Sequence, residues 1–307
     1  RLELHGRAAE WFATRDTVLH AEHLDRAEDT SAGEAYFNAA REQSASYRHQ
    51  RALKLAGRGL EIASGTMQYE LGCLQGELLR LSGSAQESIE AYRRAHQIAS
   101  DDVEACKALI GVAEGHRISG EYQELIDVLR IAEDQAKAHE LTLELARIYR
   151  LWAGVYFFRG ETETCLETSL AFLKYAREAG SPEEECRALS ALGDAEYNRG
   201  RFLSAYNYFD QCINLAREHG FGRVIAVNMA MRAAASQSLN DVESCAADCH
   251  ASLELAKETR DLWAEVIALA VGGKLWAELG DLVKGNEWIT RGLEVSQHMH
   301  SNLMGVL

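Results

Sequence analysis

Glycine, or a residue that tolerates glycine's backbone, returns at a fixed interval through most of this chain. Tyr47, Gly83, Gly120, Gly160, Gly200, Asn240 and Gly280 align, separated by 36, 37 and then repeatedly by 40 residues. Five of the seven are glycine and a sixth is asparagine, as suits a positive φ at a helix C-terminus. Seven residues before each stands Ala40, Gly76, Ala113, Ala153, Gly193, Ala233 or Gly273, and every one is Ala or Gly. Five residues after come Ala52, Ser88, Leu125, Cys165, Ala205, Cys245 and Gly285, and twelve after come Gly59, Ala95, Ala132, Phe172, Cys212, Ser252 and Gly292. One column of small residues would mean little. Three columns locked to one period mark structural repeats, each too small to bury its apolar face alone.

The unit is clearest from Ala188 to Ala216, where two amphipathic stretches flank a turn at Asn198-Arg199-Gly200-Arg201. Gly193, Ala205 and Cys212 fall where the helices approach closely, and Tyr197, Phe202, Tyr208 and Phe209 fill the space between. The chain's one proline fits this frame: Ser181 is expected to cap a helix, Pro182 to occupy its first position and Glu184 to complete a capping box. Residues 1–30 differ. Leu4, Ala8, Trp11 and Phe12 have helical spacing, Asp16 or Thr17 is placed to cap a second helix through Ala27, and Ser31 with Glu34 forms a capping-box pattern that opens a third. The expected organisation is an atypical helical pair over 1–30, a junction from an upstream module, then about seven helix pairs over 31–307. Arg1 in place of a methionine suggests a piece of a longer protein, and Ser301–Leu307 falls where an eighth unit would begin.

The residues that carry the period resemble the tetratricopeptide repeat (TPR). Leu189, Leu192, Gly193, Tyr197, Gly200, Phe202, Ala205 and Phe209 follow that family's order of large and small side chains, and the spacing resembles the 40-residue variant of cell-polarity scaffolds and bacterial regulators. The likeness covers roughly residues 31–298. It implies an all-α, right-handed TPR-like superhelical solenoid of antiparallel helix pairs, with ligands taken on the concave face lined by first helices. Leu125, Phe172 and Tyr47 depart from the pattern, so wider or differently angled interfaces are expected there. A weaker resemblance lies in His5, Ala8, Ala9, Trp11, Ala21, His23, Ala27 and Asp29. These look like the junction in bacterial multidomain signalling ATPases that leads into a TPR sensor region. Some of those proteins carry a nucleotide cyclase upstream, and others are MalT-like regulators with a DNA-binding domain.

Composition bounds the function. A formal net charge of -15 opposes direct nucleic-acid binding, which needs a basic surface. The longest apolar run, around Val266 to Gly273, is too short to span a bilayer, and residues 1–30 hold no secretory signal. Seven cysteines without a CxxC pair, several at packing positions, point to a reducing, cytoplasmic setting with free thiols.

No Walker loop, GxSxG elbow, dinucleotide fingerprint or HExxH motif is present, so neither an enzyme nor a cofactor site is expected. His20 and His23 lack a third metal ligand, Cys245 and Cys249 read as core thiols, and His298-Met299-His300 carries no pattern. No metal site is expected. The informative columns lie on the first helices. Thirteen residues before the turn the chain reads Glu34, Glu70, Lys107, Arg147, Arg187, Val227, Ile267; three before, it reads Ser44, Arg80, Arg117, Phe157, Tyr197, Gln237, Ala277. With Arg150, the middle units present Lys107, Arg117, Arg147, Arg150 and Arg187 beside Phe157 and Tyr197. These seven are the candidate peptide- or partner-binding residues, arginine supplying forked hydrogen bonds to carboxylates. The competing reading is that Glu77, Glu114 and Asp194 on the same helices neutralise them in ordinary ion pairs. The column six before the turn lacks the asparagine of a cochaperone carboxylate clamp.

The expected function is therefore a regulatory interaction scaffold in a larger bacterial signalling protein. Its partner is a peptide or protein segment, acidic by complementarity, or its own upstream ATPase module. The alternative is inducer sensing by a MalT-like regulator, which a closed apolar pocket at the Leu125 or Phe172 interface would favour.

Overall fold

The computed structural model describes residues 1–298, and every described element is a helix. Met299, His300 and the segment Ser301–Leu307, with the expected eighth unit, lie outside the described residues, as does the His298 side chain. Two helices, α1 (Leu2–Phe12) and α2 (Thr17–Arg26), precede seven pairs. The pairs are α3 (Ala32–Ala45) with α4 (His49–Ile62), α5 (Gly65–Leu81) with α6 (Ala85–Gln97), α7 (Asp102–Ser119) with α8 (Tyr122–Ala138), and α9 (Thr142–Arg159) with α10 (Thr162–Glu178). They continue as α11 (Pro182–Asn198) with α12 (Phe202–His219), α13 (Gly222–Ser238) with α14 (Val242–Thr259), and α15 (Leu262–Glu278) with α16 (Leu282–His298). The chain groups into two compact units, Arg1–Leu151 and Trp152–Leu307.

Every residue of the turn column has positive φ, from 59° at Tyr47 and 60° at Asn240 to 89° at Gly280. The residue after each donates its N–H back across the turn, while its carbonyl accepts the first bond of the next helix. Arg48 donates to Gln43 O at 2.9 Å, Ser84 to Leu79 O at 2.9 Å, Glu121 to His116 O at 3.1 Å, and Arg201 to Glu196 O at 2.9 Å. This six-to-one bond satisfies a carbonyl that the helix end would otherwise orphan. A second column, between repeats, has the same geometry: Glu140, Gly180, Gly220 and Arg260 have positive φ, and Leu141, Ser181, Phe221 and Asp261 donate to the carbonyls of Ala136, Ala176, Ala216 and Ala256.

The small-residue columns are the contact between paired helices. Ser88 Oγ donates to Gly76 O at 2.7 Å, and Cys165 Sγ to Ala153 O at 3.5 Å. A second register recurs toward the other end of each pair, where Cys106 Sγ donates to Ala132 O, Cys212 Sγ to Cys186 O and Ser252 Oγ to Ala226 O. Backbones approach this closely only where side chains are small. Leu125 and Phe172 are fully buried at their departures from the pattern. Six of the seven free thiols, Cys245 and Cys249 among them, are buried, and burial pushes Cys106 up to about 12.

The caps differ in detail from the sequence pattern. Asp16 caps α2 by accepting from Leu19 N at 2.9 Å, and Ser181 Oγ accepts from Glu184 N at 3.4 Å with Pro182 in the first turn. Ser31 does not cap α3 with its side chain: Asp29 Oδ1 takes both its hydroxyl, at 2.6 Å, and its N–H, at 2.9 Å. The nearer carboxylate outcompetes the helix end for that hydroxyl. Of the apolar stripe on α1, Leu4 and Trp11 are exposed. Ala9 packs with Val18, Ala21 and Leu24 into the same core as α3, α4 and α5, and Arg58 on α4 binds Asp25 on α2 at 2.7 Å.

Candidate functional site

Each first helix buries one face against its partner and leaves a strip in contact with solvent. On α11 the buried face holds Cys186, Leu189, Leu192 and Gly193, while Arg187, Ser190, Asp194 and Tyr197 follow one another along the strip. On α9 the corresponding strip is Arg147, Arg150, Gly154 and Phe157. The predicted residues all lie on such strips, divided between the units: Lys107, Arg117, Arg147 and Arg150 in Arg1–Leu151, and Phe157, Arg187 and Tyr197 in Trp152–Leu307.

In the first unit the hub is a carboxylate. Arg150 of α9 hydrogen-bonds Glu114 of α7 with one terminal nitrogen, and Arg117 reaches the other Glu114 oxygen at 3.2 Å. Burial works to raise the Glu114 carboxyl, but Arg150, Arg117 and, at longer range, Arg80 of α5 outweigh it and hold it at about 2. Two guanidinium groups from different first helices share this one carboxylate. Arg147 pairs with the buried Glu144 at 4.0 Å. Lys107 is exposed and makes no ion pair among the described residues. Of the three carboxylates expected to neutralise the patch, Glu114 does so, and Glu77 is exposed without an ion pair among the described residues.

The second unit is different in charge. Arg187 is exposed and tied to Glu183 one turn earlier at 2.7 Å. Phe157 meets Phe158 edge-on at 5.7 Å, and Tyr197 packs on Phe202 at 5.3 Å and against Ala205, Phe209 and Ala235. Asp194, between Arg187 and Tyr197 on the strip, pairs with neither: its Oδ1 is sealed from solvent without a hydrogen-bond partner. Burial raises its carboxyl to about 7. Both carboxylates were expected from the sequence to be neutralising ion-pair partners; Glu114 is one, and Asp194 is not.

Elsewhere, His20 and His23 do not share a ligand: His20 Nδ1 faces Ala9 O at 2.9 Å and His23 Nδ1 faces His5 Nδ1 at 2.9 Å. No group of three or more metal-ligating side chains occurs among the described residues. No described helix is long and apolar enough to cross a membrane.

No protein-family model and no curated protein matches the chain. Solved structures do. The Rap conjugation gene regulator of plasmid pLS20, in complex with the Phr* peptide, superposes with a TM-score of 0.72 at 16% identity, over 93% of this chain and 78% of that one. The fold is the TPR-type helical solenoid. A Signal Transduction ATPase with Numerous Domains from Pyrococcus horikoshii, which has a TPR sensor, matches with a TM-score of 0.67 at 13% identity, over 98% of this chain and 47% of its own. Aspartyl phosphate phosphatase F from Bacillus subtilis matches with a TM-score of 0.60 at 13% identity, over 96% of this chain and 94% of its own. At these identities the TPR-type likeness is one of fold.

Proposed function

We propose that this chain is a regulatory binding scaffold that takes a peptide or partner segment on the solvent-facing strip of its first helices. The observation that carries the reading is the Glu114 hub, where Arg117 and Arg150 from two different repeats converge on one carboxylate, on the same helix as exposed Lys107. Guanidinium groups held by a neighbouring carboxylate are pre-oriented, so a ligand carboxylate meets donors that need little further ordering. Lys107 and Arg147 extend the same strip in that unit, and Phe157, Arg187 and Tyr197 are the proposed contacts of the other. The likeness to a Rap regulator solved with a peptide, and to an ATPase with a TPR sensor, supports a sensing role within a larger signalling protein. An upstream ATPase module of such a protein is the second partner to test.

The test is affinity capture from a lysate of the source organism with the wild-type chain and with Arg147→Glu and Lys107→Glu, which leave the Glu114 hub intact. The expected outcome is partners retained by wild type and lost from the double variant, with capture done at a temperature where circular dichroism shows the variant folded, since Arg147→Glu also strands the buried Glu144. Retention of every partner by the variant contradicts the reading. The inducer-sensing alternative looks to a closed apolar pocket at Leu125 or Phe172; the apolar hollow of about 380 Å³ lies elsewhere, between α15 and α16, lined by Val266, Ala270, Ile289 and Leu293 with Lys274 beside them.

A further inference from the structure

In unit Trp152–Leu307 the strip of first helices carries a carboxyl group in an unusual position. Asp194 lies one turn before Tyr197 and one turn after Ser190 on α11. It keeps part of its surface in solvent, yet Oδ1 has lost water without gaining a donor. A carboxylate so placed is costly, and folded chains ordinarily pair such groups. The residues at the equivalent place on the neighbouring first helices are Gly154 and Ala234, both too small to reach it. A Cβ built on Gly154 meets nothing within 4 Å, so the row is open on that side. The basic residue nearest in sequence on this strip, Arg187, is held by Glu183. The titratable groups that sense Asp194 are the buried thiols of Cys165 on α10, raised by burial, and Cys212 on α12, raised first by its hydrogen bond with Cys186 and then by burial.

We propose that Asp194, with the open row at Gly154 and the ring of Tyr197 one turn on, is a subsite for a cationic group of the bound peptide, a guanidinium or an ammonium. The proposal rests on the peptide-binding reading and deepens it for unit Trp152–Leu307, where the bound segment carries a positive charge. An incoming cation pairs with Oδ2, which is not sealed from solvent as Oδ1 is, and its charge restores the ionised carboxylate that burial disfavours. The aromatic face adds a cation–π contact. A neutral or acidic group at this place leaves the carboxyl as it stands in the free chain.

The test uses the full chain and three probes: acetyl-Gly-Gly-Arg-Gly-Gly-amide, pentaglycine amide with a free amino terminus, and acetyl-pentaglycine amide as the neutral control. The Asp194 carboxyl is followed by carbon-13 NMR, assigned by its absence in Asp194→Asn. At least one cationic probe is expected to bind about ten-fold more tightly than the neutral control and to lower the Asp194 titration midpoint by about one unit. Asp194→Asn is expected to abolish the preference and Asp194→Glu to retain part of it. The first two probes separate a side-chain guanidinium from a peptide amino terminus. Equal binding of charged and neutral probes, failure of both cationic probes to bind, or an undiminished preference in Asp194→Asn overturns the subsite. Loss of partners with Lys107→Glu and Arg147→Glu alongside such a result leaves peptide binding standing without this subsite. Binding at Asp194 with no effect of those two substitutions has the opposite meaning.

Discussion

At the scale of single residues, two glycines with the same conformation have opposite roles. A Cβ added to Gly193 falls 2.3 Å from the ring of Phe209, whereas one added to Gly154 meets nothing within 4 Å. Gly193→Ala is expected to destabilise the chain by about 1–3 kcal/mol through overpacking. Gly154→Ala is expected to stabilise it by up to about 1 kcal/mol, since helical alanine is favoured over glycine. Denaturant titration checks both, and equal effects would place the repeat register elsewhere. The two strip carboxyls give opposite pH signatures. Asp194 is raised to about 7, so between its unfolded value and neutrality the folded chain holds a proton that the unfolded chain has released. Stability from this group is therefore present at acid pH and lost as pH rises through that window. Asp194→Asn is expected to raise the melting temperature at about pH 8 and to change it little at about pH 4. Glu114, held at about 2, works in the other direction: its contribution is present above the ordinary glutamate range and is lost as pH falls toward 2. In Glu114→Gln that acid-side loss should disappear from the melting profile.

At the scale of helices and turns, the glycine column was legible because positive φ selects residue type strongly. Its seven positions all adopt that conformation. The inter-repeat turns were not legible, although their bond geometry is the same, because Glu140 and Arg260 stand where Gly180 and Gly220 stand in neighbouring repeats. There the returning hydrogen bond and the buried Ala136 and Ala256 impose the conformation on residues that do not prefer it. The ion-pair network was hidden for a related reason. Arg232 on α13 binds Asp248 of α14 through two nitrogens, at 2.8 and 2.7 Å, and also Asp210 of α12. No column of the period predicts a pairing across three helices. Arg232→Met is expected to cost about 2–4 kcal/mol, because it strands the nearly buried Asp248 while Asp210 regains solvent. Arg187→Ala, which removes an exposed pair on α11, should change stability by less than about 0.5 kcal/mol. Chemical denaturation of the two variants side by side decides whether burial or mere proximity sets the worth of an ion pair here.

At the scale of the whole molecule, the fold and the face were readable and the charge pattern was not. Small residues at fixed spacing identify which side of each first helix packs, and therefore which side remains for a ligand. The signs of the charges on that remaining side depend on which neighbours meet. Arg117 and Arg150 share Glu114 in one unit, while Asp194, in the same column of the period, stands without a partner in the other. The central claim is that recognition occurs on the first-helix strip and not on the second helices. The most direct measurement places a photo-crosslinking benzoylphenylalanine at Lys107 or Arg147 on the strip, and at exposed Ile131 on α8 or Leu170 on α10, and asks which positions capture the partner. Crosslinks from Lys107 and Arg147, with none from Ile131 and Leu170, are the predicted result. Capture from Ile131 or Leu170 with silence at the strip positions would contradict the account.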